Sequence, residues 1–144
     1  MNIIQWNCRS IGATGRAGEA KILAYTKKAH IICISETWLK TGDNALITEL
    51  NEKGYSLFHD PRSSRGGGTG IPSKLSLRMT KQTTTNYKSF EVTEALLCQK
   101  HSKIRMCSVY RSVNKASLSD FLSEFEHYLR SLMISQGNPL CVVI

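Results

Sequence analysis

The chain has 144 residues, 41% of them hydrophobic, with 19 Lys and Arg against 11 Asp and Glu for a formal net charge of +8. That is enough apolar material for one domain with a core. No apolar run approaches the roughly 18 residues of a membrane helix, and the amino terminus lacks the basic and long apolar stretches of a signal peptide, so an intracellular protein, nuclear or cytoplasmic, neither secreted nor membrane-bound, is expected.

In chain order, Asn2-Ile3-Ile4-Gln5-Trp6-Asn7 reads as a short strand ending on a carboxamide, followed by loop chemistry from Cys8 to Gly12. Arg16 to Ala29 carries Ala20, Leu23 and Ala24 on one face and predicts a modest amphipathic helix. Ile31-Ile32-Cys33-Ile34 is uninterrupted apolar sequence, the mark of a strand covered on both faces, and it stops abruptly at Ser35-Glu36. Asp43 to Lys53, with Leu46, Ile47 and Leu50 at helical spacing and Gly54 just beyond, predicts a short helix with a glycine stop. Tyr55 to His59 is a predicted strand, and Asp60 to Gly68 a loop. Arg65-Gly66-Gly67-Gly68-Thr69-Gly70 lacks the Gly-Lys-Ser/Thr ending of a phosphate loop and the helix that should follow it.

Pro72 has no N–H for a ladder and weakens the strand expected near Ile71. Phe90 to Cys98 and Ile104 to Tyr110 predict two strands in a hairpin-like arrangement. Ser117 is placed as the N-cap of a helix running to Met133, with Asp120 in its first turn and a core stripe of Phe121, Leu122, Phe125, Tyr128, Leu129 and Leu132. Leu140 to Ile144 is a last apolar strand. There is no internal repeat.

Asn7 and Glu36 lie 29 positions apart, close to the roughly 30 residues that a strand, a crossover helix and a parallel strand require. In such a unit both side chains emerge at the carboxyl edge of one sheet, where ligands bind. Two oxygen donors side by side suit a hard cation such as magnesium, which takes one or two protein oxygens and keeps several waters. The competing interpretation is that Glu36 caps a helix or pairs with a surface lysine, and that Asn7 is an ordinary turn residue.

These segments carry a resemblance. Asn2-Ile-Ile-Gln-Trp-Asn7, Ile31-Ile-Cys-Ile-Ser-Glu-Thr-Trp-Leu39, Arg65-Gly-Gly-Gly68 and Ser108-Val-Tyr-Arg111 resemble, in order and spacing, the successive motifs of the endonuclease/exonuclease/phosphatase superfamily, most closely the endonuclease domain of non-LTR (LINE-like) retrotransposons. The resemblance implies an α/β sandwich, here incomplete, of mixed β-sheets with flanking helices. It implies magnesium (or manganese) held by Asn7 and Glu36, Tyr110 steadying the scissile phosphate, and Arg65 and Arg111 contacting DNA. The activity implied for the intact parent is magnesium-dependent phosphodiester hydrolysis.

Family members continue past the last strand into Gly-Asp-x-Asn and a later Asp-His pair. Residues 1–144 are therefore expected to be the N-terminal portion of a single such domain, truncated after the strand 140–144, with little or no turnover of its own. A bare apolar terminal strand supports the same expectation, because sheet edges are normally blunted. Two departures from the family stand out: the broken Thr69-Gly70-Ile71-Pro72, and Tyr110-Arg111-Ser112-Val113, where prolines commonly follow the Tyr-Arg pair and stiffen the loop.

Five cysteines, Cys8, Cys33, Cys98, Cys107 and Cys141, form no C-x-x-C pair and are expected to be reduced. His30, His59, His101 and His127 sit in no metal-binding pattern and are expected to be exposed or packed, His59 beside Asp60 least securely. From Pro61 to Ser119 there are eleven basic residues against two acidic ones, Glu91 and Glu94, so the whole positive excess lies mid-chain. That block favours a polyanion such as DNA, the alternative being a solvated basic face. Two other functions remain open from the sequence: a non-catalytic nucleic-acid-binding remnant, indifferent to Glu36, and a phosphatase acting on a small molecule, which would not need the basic block.

Overall fold

The computed structural model describes residues 1–13, 16–51, 54–62, 66–112, 114–134 and 140–143; the side chains of residues 17, 21, 46, 50 and 140–143 are outside that description. Eleven elements follow in order: β1 (Ile3–Asn7), α1 (Arg16–Thr26), β2 (Ile31–Ser35), α2 (Asn44–Asn51), β3 (Tyr55–His59), β4 (Thr69–Lys74), β5 (Met79–Lys81), β6 (Glu91–Cys98), β7 (Lys103–Tyr110), α3 (Leu118–Ile134) and β8 (Leu140–Val143). They build two four-stranded sheets, ordered β1-β2-β4-β3 and β5-β6-β7-β8. In the first sheet β1 and β2 are parallel, with Asn7 opposite Ser35, and β4 runs antiparallel to both β2 and β3. In the second, β5, β6 and β7 are antiparallel and β8 is parallel to β7.

The apolar run of β2 is explained by its place between two layers. Ile31 and Cys33 face the second sheet, where they meet Ala95 and Met106, while Ile32 and Ile34 face α1 and pack on Ala20 and Ala24. All five residues of β2 are buried. The second sheet alternates likewise, Met106 pointing inward and Val92, Cys107 and Val109 outward onto Tyr128 and Leu132 of α3. Helices thus cover the outer face of each sheet, giving the mixed-sheet α/β sandwich.

Pro72 does not break β4. Every β4 residue from Gly70 to Lys74 is paired with β3, whereas the β2 ladder pairs Ser73 with Ile31 and Gly70 with Ile34 and is silent between them. The missing donor opens a local gap in one ladder while the other holds the strand. The strand β5 is an addition, three residues being too short to show a period. Helix α1 stops before the predicted Ala29 because Lys28 adopts φ +49° and the amides of Lys28 and Ala29 bond to the carbonyls of Tyr25 (3.1 Å) and Ala24 (2.9 Å), the double bond of a Schellman stop. Ser117 caps α3 as predicted, its hydroxyl accepting from the Asp120 amide at 3.1 Å. Val113 and Ile144, and the side chains of Leu46, Leu50 and Cys141, lie outside the described residues.

Candidate metal and phosphate site

Parallel pairing of β1 and β2 in register brings Asn7 and Glu36 to the same sheet edge, and Asn7 Nδ2 donates to Glu36 Oε1 at 2.9 Å. Asn7 Oδ1 accepts from the Arg9 amide at 3.3 Å, which fixes the carboxamide from its other side. The backbone carrying Glu36 is unusual: Glu36 and Trp38 have φ of +57° and +56°, and Arg9 and Ser10 across from them have +45° and +79°. Side chains other than glycine rarely adopt that region, so the surroundings must impose it.

The imposing contacts come from two sides. Ser10 N donates to Glu36 O at 2.7 Å and Ile11 N to Thr37 O at 3.1 Å, while Thr37 N and Trp38 N donate to the carbonyls of Gly68 (3.2 Å) and Gly67 (2.9 Å). Gly67 and Gly68, at φ +72° and +90°, come so close that a Cβ would strike the Arg62 guanidinium at the first and the Thr37 hydroxyl at the second. The glycine run is therefore a clamp on the Glu36 segment, as its lack of a phosphate-loop ending allowed.

Tyr110 arrives from the second sheet. Burial, then the charge of Glu36, then a hydrogen bond with that carboxylate push its phenol above the ordinary value, so it stays protonated at neutral pH. The sheets are pinned together at this end by Ser108 Oγ donating to Ile34 O at 3.2 Å and by the buried Thr69 and Thr93 hydroxyls 2.8 Å apart. Asn7 and Glu36 are thus in direct contact, and the Tyr110 phenol lies near enough to feel the Glu36 carboxylate.

The remaining candidates fall elsewhere. Arg65 lies outside the described residues. Arg111 turns its guanidinium over the Phe121 ring, 5.1 Å from the centroid, which anchors α3 as much as it offers charge to a ligand. His59 is held in β3 beside Asp60 and Lys81, where burial and then the Lys81 charge lower its imidazole below the ordinary value. Four cysteines, Cys8, Cys33, Cys98 and Cys107, are free thiols among the described residues.

Sequence reasoning passed over Glu91. Its carboxylate accepts from the Gly68 amide (2.6 Å) and from Lys115 Nζ (2.7 Å), and it is ion-paired with Arg62. The available signal was its rarity, one of two acids within a strongly basic stretch. A polar cavity of about 600 Å³ opens beside it, bordered by Asp60, Arg62, Lys81, Asn86 and Tyr87.

In this structure Asn7 turns its Nδ2 to Glu36 and its Oδ1 to the Arg9 amide, so an ion held by both residues requires the carboxamide to turn over; with it turned, an amide oxygen and a carboxylate at adjoining strand ends are hard oxygen donors of the kind magnesium accepts while keeping most of its waters. Among the described residues no group of three His, Cys, Asp or Glu side chains gathers as a larger cage, and no helix is long and apolar enough to cross a membrane.

No protein-family model matches the chain, and no curated protein matches it. Solved structures do. TDP2 from D. rerio, complexed with a single-strand DNA product, superposes with a TM-score of 0.67 at 17% identity over 97% of this chain and 57% of its own. The endonuclease domain of TRAS1, a telomere-specific non-LTR retrotransposon, gives 0.69 at 16% identity over 97% and 57%. The 3' phosphatase NExo from Neisseria, bound to a product DNA hairpin, gives 0.62 at 16% identity over 96% and 56%. The chain spans less than three fifths of each of these structures. What they share with it is architecture: the described residues have, in part, the fold of the endonuclease/exonuclease/phosphatase superfamily.

Proposed function

We propose that this chain is the metal- and phosphate-holding part of a magnesium-dependent DNA phosphodiesterase of the non-LTR retrotransposon endonuclease type. The observation that carries it is the Asn7–Glu36 contact at the ends of two parallel strands. The DNA-bound structures and the retrotransposon endonuclease domain among the structural neighbours support DNA as the polyanion.

Asn7 and Glu36 are the groups that would hold Mg²⁺ or Mn²⁺, and the bound ion supplies charge stabilisation at the phosphoryl and leaving oxygens. Tyr110, kept protonated by its surroundings, donates a hydrogen bond to a phosphate oxygen. Arg111 and Arg65 contribute positive charge for the backbone of the substrate. The roles assigned to these residues are metal and phosphate binding; none of them is assigned as the base that activates water.

Mn²⁺ titration of the chain, followed by electron paramagnetic resonance, tests the reading. Glu36→Ala is expected to weaken binding by at least about tenfold, and an unchanged affinity would overturn the assignment. The same chain with Mg²⁺ is expected not to nick supercoiled plasmid. Likeness to the 3' phosphatase NExo favours a second reading, release of terminal phosphate. In a chain extended through the later motifs, inorganic phosphate without internal nicks would select it.

A further inference from the structure

We infer that Glu91 is the positioning residue of the metal site: its carboxylate locks the glycine clamp that forces Glu36 into its left-handed backbone. The path is continuous. Glu91 Oε2 takes the Gly68 amide at 2.6 Å, while the carbonyls of Gly68 and Gly67 take the amides of Thr37 and Trp38, the two residues that follow Glu36.

Glu91 Oε1 holds the other side of the clamp. It bonds Lys115 at 2.7 Å and pairs with Arg62, whose own amide donates to Leu39 O at 3.0 Å and whose guanidinium blocks the space a Cβ would need at Gly67. One carboxylate from the second sheet thus grips both chain segments that flank 36–39. Glu91 opens β6 directly opposite Tyr110. A salt bridge of this partly buried kind is weak evidence for stability, so the role inferred for Glu91 is read from its bonds to the Gly68 amide, Arg62 and Lys115.

Glu91 makes no contact with the ion in this scheme. It acts through the backbone of Thr37 and Trp38, so that Glu36 meets Asn7 and Tyr110 without first having to leave an extended conformation. Strained backbone at a site persists only where the surroundings over-determine it, and this carboxylate is the anchor of that over-determination on the side away from β1.

The metal half of this inference rests on the function proposed above; the backbone half does not. The experiment therefore reads both in the same chain. Glu91→Met keeps the side-chain length and removes the acceptor, and Glu91→Gln keeps an acceptor for the Gly68 amide without the charge. Hydrogen exchange of the Thr37 and Trp38 amides is expected to rise about tenfold or more in Glu91→Met and to stay near the parent rate in Glu91→Gln. Mn²⁺ affinity is expected to fall about tenfold in Glu91→Met with partial recovery in Glu91→Gln, as for groups that orient a ligand.

Unchanged exchange at Thr37 and Trp38 in a folded Glu91→Met chain overturns the inference. Accelerated exchange in a chain whose parent binds no Mn²⁺ leaves the clamp standing and removes the metal assignment alone. Should Glu91→Met not fold, the parent decides by itself: its Gly68 amide must be protected from exchange, and a Gly68 amide exchanging at the rate of an open coil refutes the lock.

Discussion

At the scale of single residues, the site is built from backbone that resists its own conformation. Four non-glycine residues at positive φ, Arg9, Ser10, Glu36 and Trp38, stand at the ends of two neighbouring strands, and each costs on the order of 1–2 kcal/mol relative to an ordinary conformation. The adjacent cysteine shows how closed the support beneath them is. Cys8 is fully buried, its Sγ donates to Glu36 O at 3.3 Å, and burial pushes its thiol up to about 12. At pH 8 a thiol of that kind is thiolate in only about one molecule in ten thousand. Iodoacetamide at pH 8 is expected to modify the partly exposed Cys98 and to spare Cys8 until the chain is denatured, as mapped by peptide mass spectrometry. Early labelling of Cys8 would mean that the Glu36 turn opens freely, and that the carboxylate is not held where a metal needs it.

At the scale of elements, helix α3 is fastened by one carboxylate in a different way. Burial alone would raise the Glu124 carboxyl, but the Ser89 hydroxyl (2.5 Å) and the amides of Lys88 (3.0 Å) and Ser89 (2.8 Å) outweigh it and hold it below the ordinary value. A carboxyl lowered in the folded state favours folding above its unfolded value, and that contribution disappears as pH falls through the folded one. Glu124→Gln is accordingly expected to lower stability at pH 7 by about 1–2 kcal/mol, and to narrow the gap from the parent as the pH drops into the acid range below the ordinary carboxylate value. Urea unfolding at pH 7 and at low pH measures both; a gap that widens in acid contradicts the sign. The docking itself was partly legible: of the predicted stripe, Phe121, Phe125, Tyr128, Leu129 and Leu132 pack on the sheet, whereas Leu122 is exposed. Its partner at Ser89 was not, because 35 residues separate it from Glu124 and no local period encodes the meeting.

The same distinction separates what the sequence revealed about the site from what it concealed. Asn7 and Glu36 are legible because each ends an apolar run, so a local pattern announces a polar side chain at a sheet edge. Glu91 is not, because its meaning comes from contacts to Gly68, Arg62 and Lys115, each more than twenty positions away. Pro72 misled for a related reason: its cost to a strand depends on which neighbour needs the missing N–H, and β4 has two neighbours.

At the scale of the whole molecule, the basic stretch that is contiguous in sequence is divided in space. The hairpin of β6 and β7 places Glu91 and Tyr110 at one end and Cys98 and Lys103 at the other, seven residue steps or about 23 Å away at roughly 3.3 Å per residue. Lys100 and Lys103 sit at that far end. Lys74, as the last residue of β4, and Arg78, whose carbonyl accepts from the Cys98 amide at 2.9 Å, belong there as well. Lys88, Arg111 and Lys115 lie with Tyr110. Several charges are also committed within the protein, Lys81 to Asp60, Arg105 to Glu94 and Lys115 to Glu91. If DNA is held across the Glu36 end, only the near cations release counterions. Replacing Lys88 and Arg111 with Ala should then flatten the plot of log affinity against log salt by about 0.9 for each phosphate that is no longer neutralised, while replacing Lys100 and Lys103 should leave the slope alone. Fluorescence anisotropy with a labelled oligonucleotide from low to moderate salt separates these outcomes. A slope that falls equally for both pairs would show a charge cloud without an address, and would detach the basic stretch from the chemistry assigned to Asn7, Glu36 and Tyr110.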